Sequence, residues 1–265
     1  MSAAPLLFGT NWKMHKTVRE ATQYAERLQA RIPELDDRTQ IFVIPPYTSI
    51  AAVCQAAHGA FWVGAQNMHW AEWGPYTGEV SAPMLKEMGV DLVEIGHAER
   101  RQYFNENDAS VNRKVQTALR FGLRPLICVG EDAEDKRYGV ERETVARQLR
   151  IALHGIEAER APQLIIAYEP SWAVGEAGAI ATPEYVAYMT GACRDVLASL
   201  FGLRNGAGIP ILYGGSVFGK DAPGLLFRSG ANGLFVGRAA LDPDSFADLV
   251  DACIHAIPKQ AGRRE

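Results

Sequence analysis

Eight short, nearly continuous apolar runs alternate with longer amphipathic segments along the whole sequence. The runs are 6–10, 40–44, 61–65, 91–95, 124–129, 163–168, 209–213 and 232–236. Parallel strands covered on both faces need this composition, whereas half-exposed strands would alternate apolar and polar residues. Helices are expected between them at 17–31, 48–57, 82–88, 106–121, 140–156, 183–201, 220–229 and 243–256. In the fifth, Val145, Leu149 and Leu153 recur every four residues and share a face. Thr182-Pro183-Glu184 reads as a helix start: an N-cap, a proline in the first turn, and an acid near the positive end of the helix dipole. Eight strands, each followed by a helix, close most naturally as an α/β barrel, a (β/α)8 fold; an open doubly wound sheet has the same periodicity. No Gly/Ser-rich linker or charge block divides residues 1–265, so one domain is expected.

A net charge of −4 argues against a nucleic-acid surface, which needs a basic surplus on one face. Cys54, Cys128, Cys193 and Cys253 are widely spaced, with no C-x-x-C pair, and suit buried thiols in a reducing compartment. No apolar run approaches a membrane span and the first residues carry no basic leader, so a cytoplasmic protein is expected.

In barrels of this kind the chemistry sits where strands end at their carboxyl side. The first run is followed by Asn11-Trp12-Lys13, the third by Gln66-Asn67, and the fourth by Gly96-His97. The sixth is followed by Glu169-Pro170, the seventh by Gly214-Gly215-Ser216, and the eighth by Gly237-Arg238. Singly, a lysine is usually a solvated surface residue, a histidine a satisfied core residue, an acid a helix cap, and a glycine a turn former. On one rim together they make a site.

Asn11-Trp12-Lys13-Met14, GHAERR at 96–101, ICVGE at 127–131, AYEPSWAVG at 167–175 and YGGSV at 213–217 agree in order and spacing with one family. The chain resembles triosephosphate isomerase over essentially its full length. The resemblance implies a TIM barrel and an aldose–ketose isomerase working through an enediol(ate). It implies Glu169 as the base, His97 as the electrophile, Lys13 as the cation on the substrate, Asn11 as a positioning group and Glu99 beside the lysine. A carboxylate reaches both carbons of the reacting pair, and imidazole with an ammonium stabilises the oxyanion. A glutamate base beside a neutral histidine is the general pattern already known for triosephosphate isomerase. No metal or redox cofactor is required by that chemistry, and no metal-ligand cluster stands out in the sequence. Gly175, Ser216 and the Gly237-Arg238 turn resemble the family's phosphate grip, and 170–181 resembles its lid. The aromatic loop 66–80 resembles the segment that inserts into a neighbouring subunit, with Thr77 at the position that approaches the partner's site. A homodimer follows.

The pattern is broken in four places. The lid reads GEAGAIA after Val174, one residue longer than usual, and Ala98 follows the histidine where serine is common. Arg238 replaces the second glycine of the last turn, and Phe218-Gly219-Lys220-Asp221 follows YGGSV. Arg238 either adds a charge-assisted contact to phosphate or points away from the pocket. The lid, the Gly-Arg pair and the Asn-Met-His-Trp loop also resemble a branch of the family that interconverts L-erythrulose 1-phosphate and D-erythrulose 4-phosphate in erythritol breakdown. Two further readings are a barrel that only binds phosphate, and a different phosphate-binding isomerase; the second does not account for the GHAERR and AYEP motifs.

Overall fold

The computed structural model describes residues 6–32, 39–174, 179–217 and 219–256. Its strands are β1 (Leu6–Asn11), β2 (Thr39–Ile44), β3 (Trp62–Ala65), β4 (Leu92–Ile95), β5 (Arg124–Val129), β6 (Ile165–Tyr168), β7 (Ile211–Tyr213) and β8 (Gly233–Val236). All pair in parallel with their sequence neighbours, and β8 returns to β1, which closes the barrel and excludes the open sheet. The pairings are unequal. β1 and β2 share six register positions from Leu6↔Thr39 to Asn11↔Ile44, whereas β7 and β8 share only Tyr213↔Leu234.

The helices are α1 (Val18–Arg31), α2 (Ile50–Ala57), α3 (Ala82–Glu87), α4 (Ala98–Tyr103), α5 (Asp108–Arg120), α6 (Ala133–Tyr138), α7 (Glu141–Ala152), α8 (Pro183–Gly208), α9 (Ala222–Ser229) and α10 (Pro243–His255). Their starts follow side-chain chemistry. Thr17 and Glu20 form a capping box on α1, and Asn107 with Ser110 another on α5. The Thr182 side chain accepts the Tyr185 N–H at the start of α8, with Pro183 in its first turn. The end expected at 201 falls beside Gly202, whose φ of +79° breaks the helical path before one more turn ends at Gly208.

Two layers of apolar side chains result. Leu126 and Cys128 of β5 point into the barrel with Leu7, Phe42, Leu92 and Leu212, while Ile127 and Val129 face the helices. Val145, Leu149 and Leu153 are all buried beneath α7, as their spacing requires. Three expectations need correction. The sixth strand begins at Ile165 rather than 163 because Ala158–Gln163 is a 3₁₀ turn, and the seventh begins at Ile211 because Ile209 caps α8. The short helices α4 and α6 were not expected. Among the described residues no helix is long and apolar enough to cross a membrane.

Candidate active site

The carboxyl ends of the strands open into a cavity of about 530 Å³. Asn11, Lys13, His97, Glu99, Glu169, Ser216, Gly237 and Arg238 all line it. Gly175 lies outside the described residues, as does Phe218. Thr77 does not line this cavity; it is exposed in the 66–80 loop.

At the end of β1, Asn11 Oδ1 accepts the backbone N–H of Lys13 at 2.6 Å. The donor residue is itself left-handed, Lys13 having φ +53°, a region costly for a side chain with a Cβ. Gln66 Nε2 donates to the Lys13 carbonyl at 2.8 Å and steadies the same turn. The lysine Nζ then reaches Glu99 Oε1 at 2.6 Å.

Gly96 ends β4 with φ +83°, and a Cβ there would sit 3.1 Å from Val111 and 3.2 Å from the Cys128 carbonyl. The turn places His97 at the N-cap of α4, where Nδ1 accepts the Glu99 N–H at 3.2 Å. With Nδ1 accepting that N–H, Nε2 is the ring nitrogen left to donate. Nε2 lies 3.8 Å from Glu169 Oε2.

Glu169 follows β6, its N–H donating to the Val129 carbonyl at 2.8 Å. The side chain is buried, and among the described residues Oε2 has no hydrogen-bond partner. Burial raises its pKa above the ordinary carboxylate range. Gly214 makes room for it: a Cβ there would stand 2.6 Å from Glu169 Cγ.

Ser216 differs from expectation in one respect. Both its N–H (3.0 Å) and its Oγ (2.9 Å) donate to the Ala173 carbonyl. An anion using these donors must displace Ala173. Opposite, Gly237 precedes the single 3₁₀ turn Arg238–Ala240, and Arg238 is exposed along the cavity edge.

Behind Ser171–Ala173, Glu131 is fully buried and accepts from Trp172 Nε1 (2.8 Å), Tyr185 Oη (2.8 Å) and Tyr168 Oη (3.0 Å). Ala179 N donates to the Trp172 carbonyl at 3.0 Å.

Sequence reasoning missed Glu94 and His15. His15 lines the cavity. Glu94 projects from β4 into the barrel, where its Oε2 accepts from Asn11 Nδ2 at 2.6 Å. Burial first, and then the Glu169 charge, push its pKa up to about 7. The signal was present in the run DLVEI, since an acid inside a strand covered on both faces needs a reason. Glu94, Cys128 and Glu169 also bring ligand-type atoms within 4.8 Å of one another, a convergence the sequence did not reveal. Cys128 is a poor candidate ligand, because burial holds its thiol protonated and it donates to Glu94 Oε1 at 3.8 Å.

The family profile for triosephosphate isomerase matches residues 6–253. The chain belongs to the triosephosphate isomerase family. A triosephosphate isomerase of Acetivibrio thermocellus is 45% identical over 240 residues, covering 90% of this chain and 94% of that protein. An L-erythrulose-1-phosphate isomerase of Mesorhizobium japonicum is 42% identical over 251 residues, covering 94% and 97%. A second protein with that name, from Rhizobium etli, is 39% identical over 259 residues, covering 97% and 95%. Membership makes the chain an enzyme, an isomerase of phosphorylated sugars.

Proposed function

We propose that this site interconverts a phosphorylated ketose and its isomer through an enediolate, with Glu169 as base, His97 as electrophile and Lys13 as the cation that draws the substrate in. The observation carrying this reading is the buried Glu169 Oε2, without a hydrogen-bond partner among the described residues, standing 3.8 Å from His97 Nε2 at the cavity wall. Glu169 takes a proton from the carbon next to the carbonyl, and the C–H electron pair becomes the C=C bond of the enediolate. The negative charge falls on oxygen, where His97 Nε2–H and the Lys13 ammonium hold it. His97 passes the hydroxyl proton of the first carbon to the oxygen of the second, and the glutamic acid returns its own proton to that second carbon, leaving the carbonyl on the first. Water exclusion by the 170–181 lid would protect the intermediate, and Ser216 with the Gly237-Arg238 turn would hold the phosphate.

For the sugar, the first reading is dihydroxyacetone phosphate and D-glyceraldehyde 3-phosphate. The erythrulose-phosphate isomerases among the relatives favour a second, L-erythrulose 1-phosphate and D-erythrulose 4-phosphate. The two ketoses share the phosphate, its carbon and the carbonyl. They differ by a hydroxymethyl group on the carbon that loses the proton, at the Glu169 end. Arg238, if it meets phosphate, therefore serves either sugar, and selectivity belongs to the floor around Glu169.

The test compares kcat/KM of the purified enzyme on D-glyceraldehyde 3-phosphate and L-erythrulose 1-phosphate. Equal or higher efficiency on the triose removes the tetrulose reading, higher efficiency on the tetrulose removes the triose, and no turnover of either removes both. Glu169→Asp, which withdraws the base by about one bond, should lower kcat by ~10²-fold or more with KM changed only a few-fold. Near-native turnover would reassign the base.

The same reading makes the protein a cytoplasmic homodimer. Free thiols at all four cysteines support the first, and exposed Trp73, Tyr76 and Thr77 on the 66–80 loop support the second.

A further inference from the structure

Glu94 has no part in the reaction as written, yet it lies directly beneath the residues that do. On β4 it alternates inward with Leu92, and the whole residue is only 1% exposed. Asn11 of β1 donates to Oε2 at 2.6 Å, and Cys128 of β5 donates to Oε1 at 3.8 Å. Glu169 beyond β6, His97 beyond β4 and Lys13 beyond β1 are the charged or titratable groups acting on it. For the fold alone this is a poor choice. A carboxyl group in the barrel interior loses its hydration and stands near a second carboxyl, where an aliphatic side chain of similar volume would avoid both costs.

The hydrogen bonds show what the acid does locally. A side-chain amide can be rotated by half a turn with little change in shape, exchanging its oxygen and nitrogen. Asn11 has its nitrogen toward Glu94 and its oxygen toward the Lys13 N–H. The opposite orientation would put an N–H₂ against the Lys13 N–H, donor against donor, and its oxygen against the oxygen of Glu94. Glu94 therefore fixes the sense of the Asn11 amide. The amide oxygen in turn holds Lys13 in its left-handed turn (φ +53°), from which Nζ reaches the cavity wall and Glu99.

We propose that Glu94 is a positioning residue of the isomerase site, acting through the Asn11 amide to hold the Lys13 turn and so aim the ammonium at the substrate anion. This rests on the proposed isomerase reading of the same cavity. It assigns Glu94 a function that its burial in the wall of the barrel conceals.

The experiment uses Glu94→Leu, Glu94→Gln, Asn11→Ala and the Glu94→Leu/Asn11→Ala double variant. Each is measured for thermal unfolding, for kcat and KM, and for affinity to 2-phosphoglycolate, whose carboxylate and phosphate copy the charges of an enediolate phosphate. Glu94→Leu should unfold at the same or a higher temperature, yet lose ~10-fold or more in kcat/KM and bind 2-phosphoglycolate correspondingly more weakly. Glu94→Gln keeps an acceptor oxygen for Asn11 and should stay within about 3-fold of wild type. The double variant should be no worse than Asn11→Ala, because both substitutions break one chain of contacts. Any of three results overturns the proposal: Glu94→Leu retaining wild-type affinity and kcat/KM, its activity loss tracking a lower unfolding temperature, or losses that multiply in the double variant. Affinity is read without turnover. A wild-type enzyme that binds 2-phosphoglycolate but isomerises neither sugar would count against the reaction and leave the Glu94 contrast readable.

Discussion

Burial acts on Glu94 and Glu169 in the same direction, and both consequences can be measured. Each carboxyl is harder to ionise in the folded protein than in the unfolded chain, so the folded state binds its proton more tightly. For Glu94 the ordinary value is 4.5 and the folded value about 7. Its stabilising contribution is complete below the unfolded value and disappears as pH rises through the folded one. Denaturant unfolding between pH 4.5 and 8 should show wild type losing stability relative to Glu94→Gln, with the change centred between 4.5 and about 7. Parallel curves would mean that Glu94 titrates like an exposed acid. For Glu169, the acid limb of kcat/KM should lie above the range of a solvated glutamate, because only the ionised base accepts the proton.

At the scale of elements, the site is a meeting of strand ends, and Gly214 shows how closely they meet. A Cβ on the turn after β7 would stand 2.6 Å from Cγ and 2.7 Å from Oε1 of Glu169, at the end of β6. Gly214→Ala should therefore push the proposed base aside and lower kcat by on the order of 10²-fold, with far less effect on KM. Steady-state kinetics checks this, and unchanged kcat would mean that Glu169 has another resting place. Much of this level was legible beforehand. Eight apolar runs located the eight strands, and the residues just past them were Asn11, Lys13, His97, Glu169 and Ser216, which line one cavity. The helices α4 and α6 were not legible, because six residues rich in charge, such as AERRQY, show no apolar stripe. Glu94 was hidden by its neighbours, since four of the five residues around 91–95 read correctly as strand. The engagement of Ser216 with Ala173 was beyond reach, because it joins two loops 43 residues apart.

For the whole molecule, the aromatic loop bears on assembly. His69 stacks on Trp70 with ring centroids 4.2 Å apart and lies 4.0 Å from Tyr76, so the loop holds its own shape. Trp73, 69% exposed at its tip, is then an apolar projection that the described residues leave uncovered. Sedimentation at micromolar protein should give a dimer, and Trp73→Asp should shift it toward monomer and reduce kcat. A wild-type monomer at that concentration would remove Thr77 from any role in a neighbouring site.

The barrel also has a seam with few register pairs. β7 and β8 share the single register pair Tyr213↔Leu234, fewer than the other adjacent strands, and Asn232 just before β8 bridges to both the N–H and the carbonyl of Ile211. The turns that leave those two strands are Gly214-Gly215-Ser216 and Gly237-Arg238, the pair that faces the cavity from either side. A phosphate seated between them would act as a rivet across the least-stitched seam of the ring. Substrate binding and the closure of the ring would then share the same few amides, and a bound anion would tie together two strands that have one register pair between them.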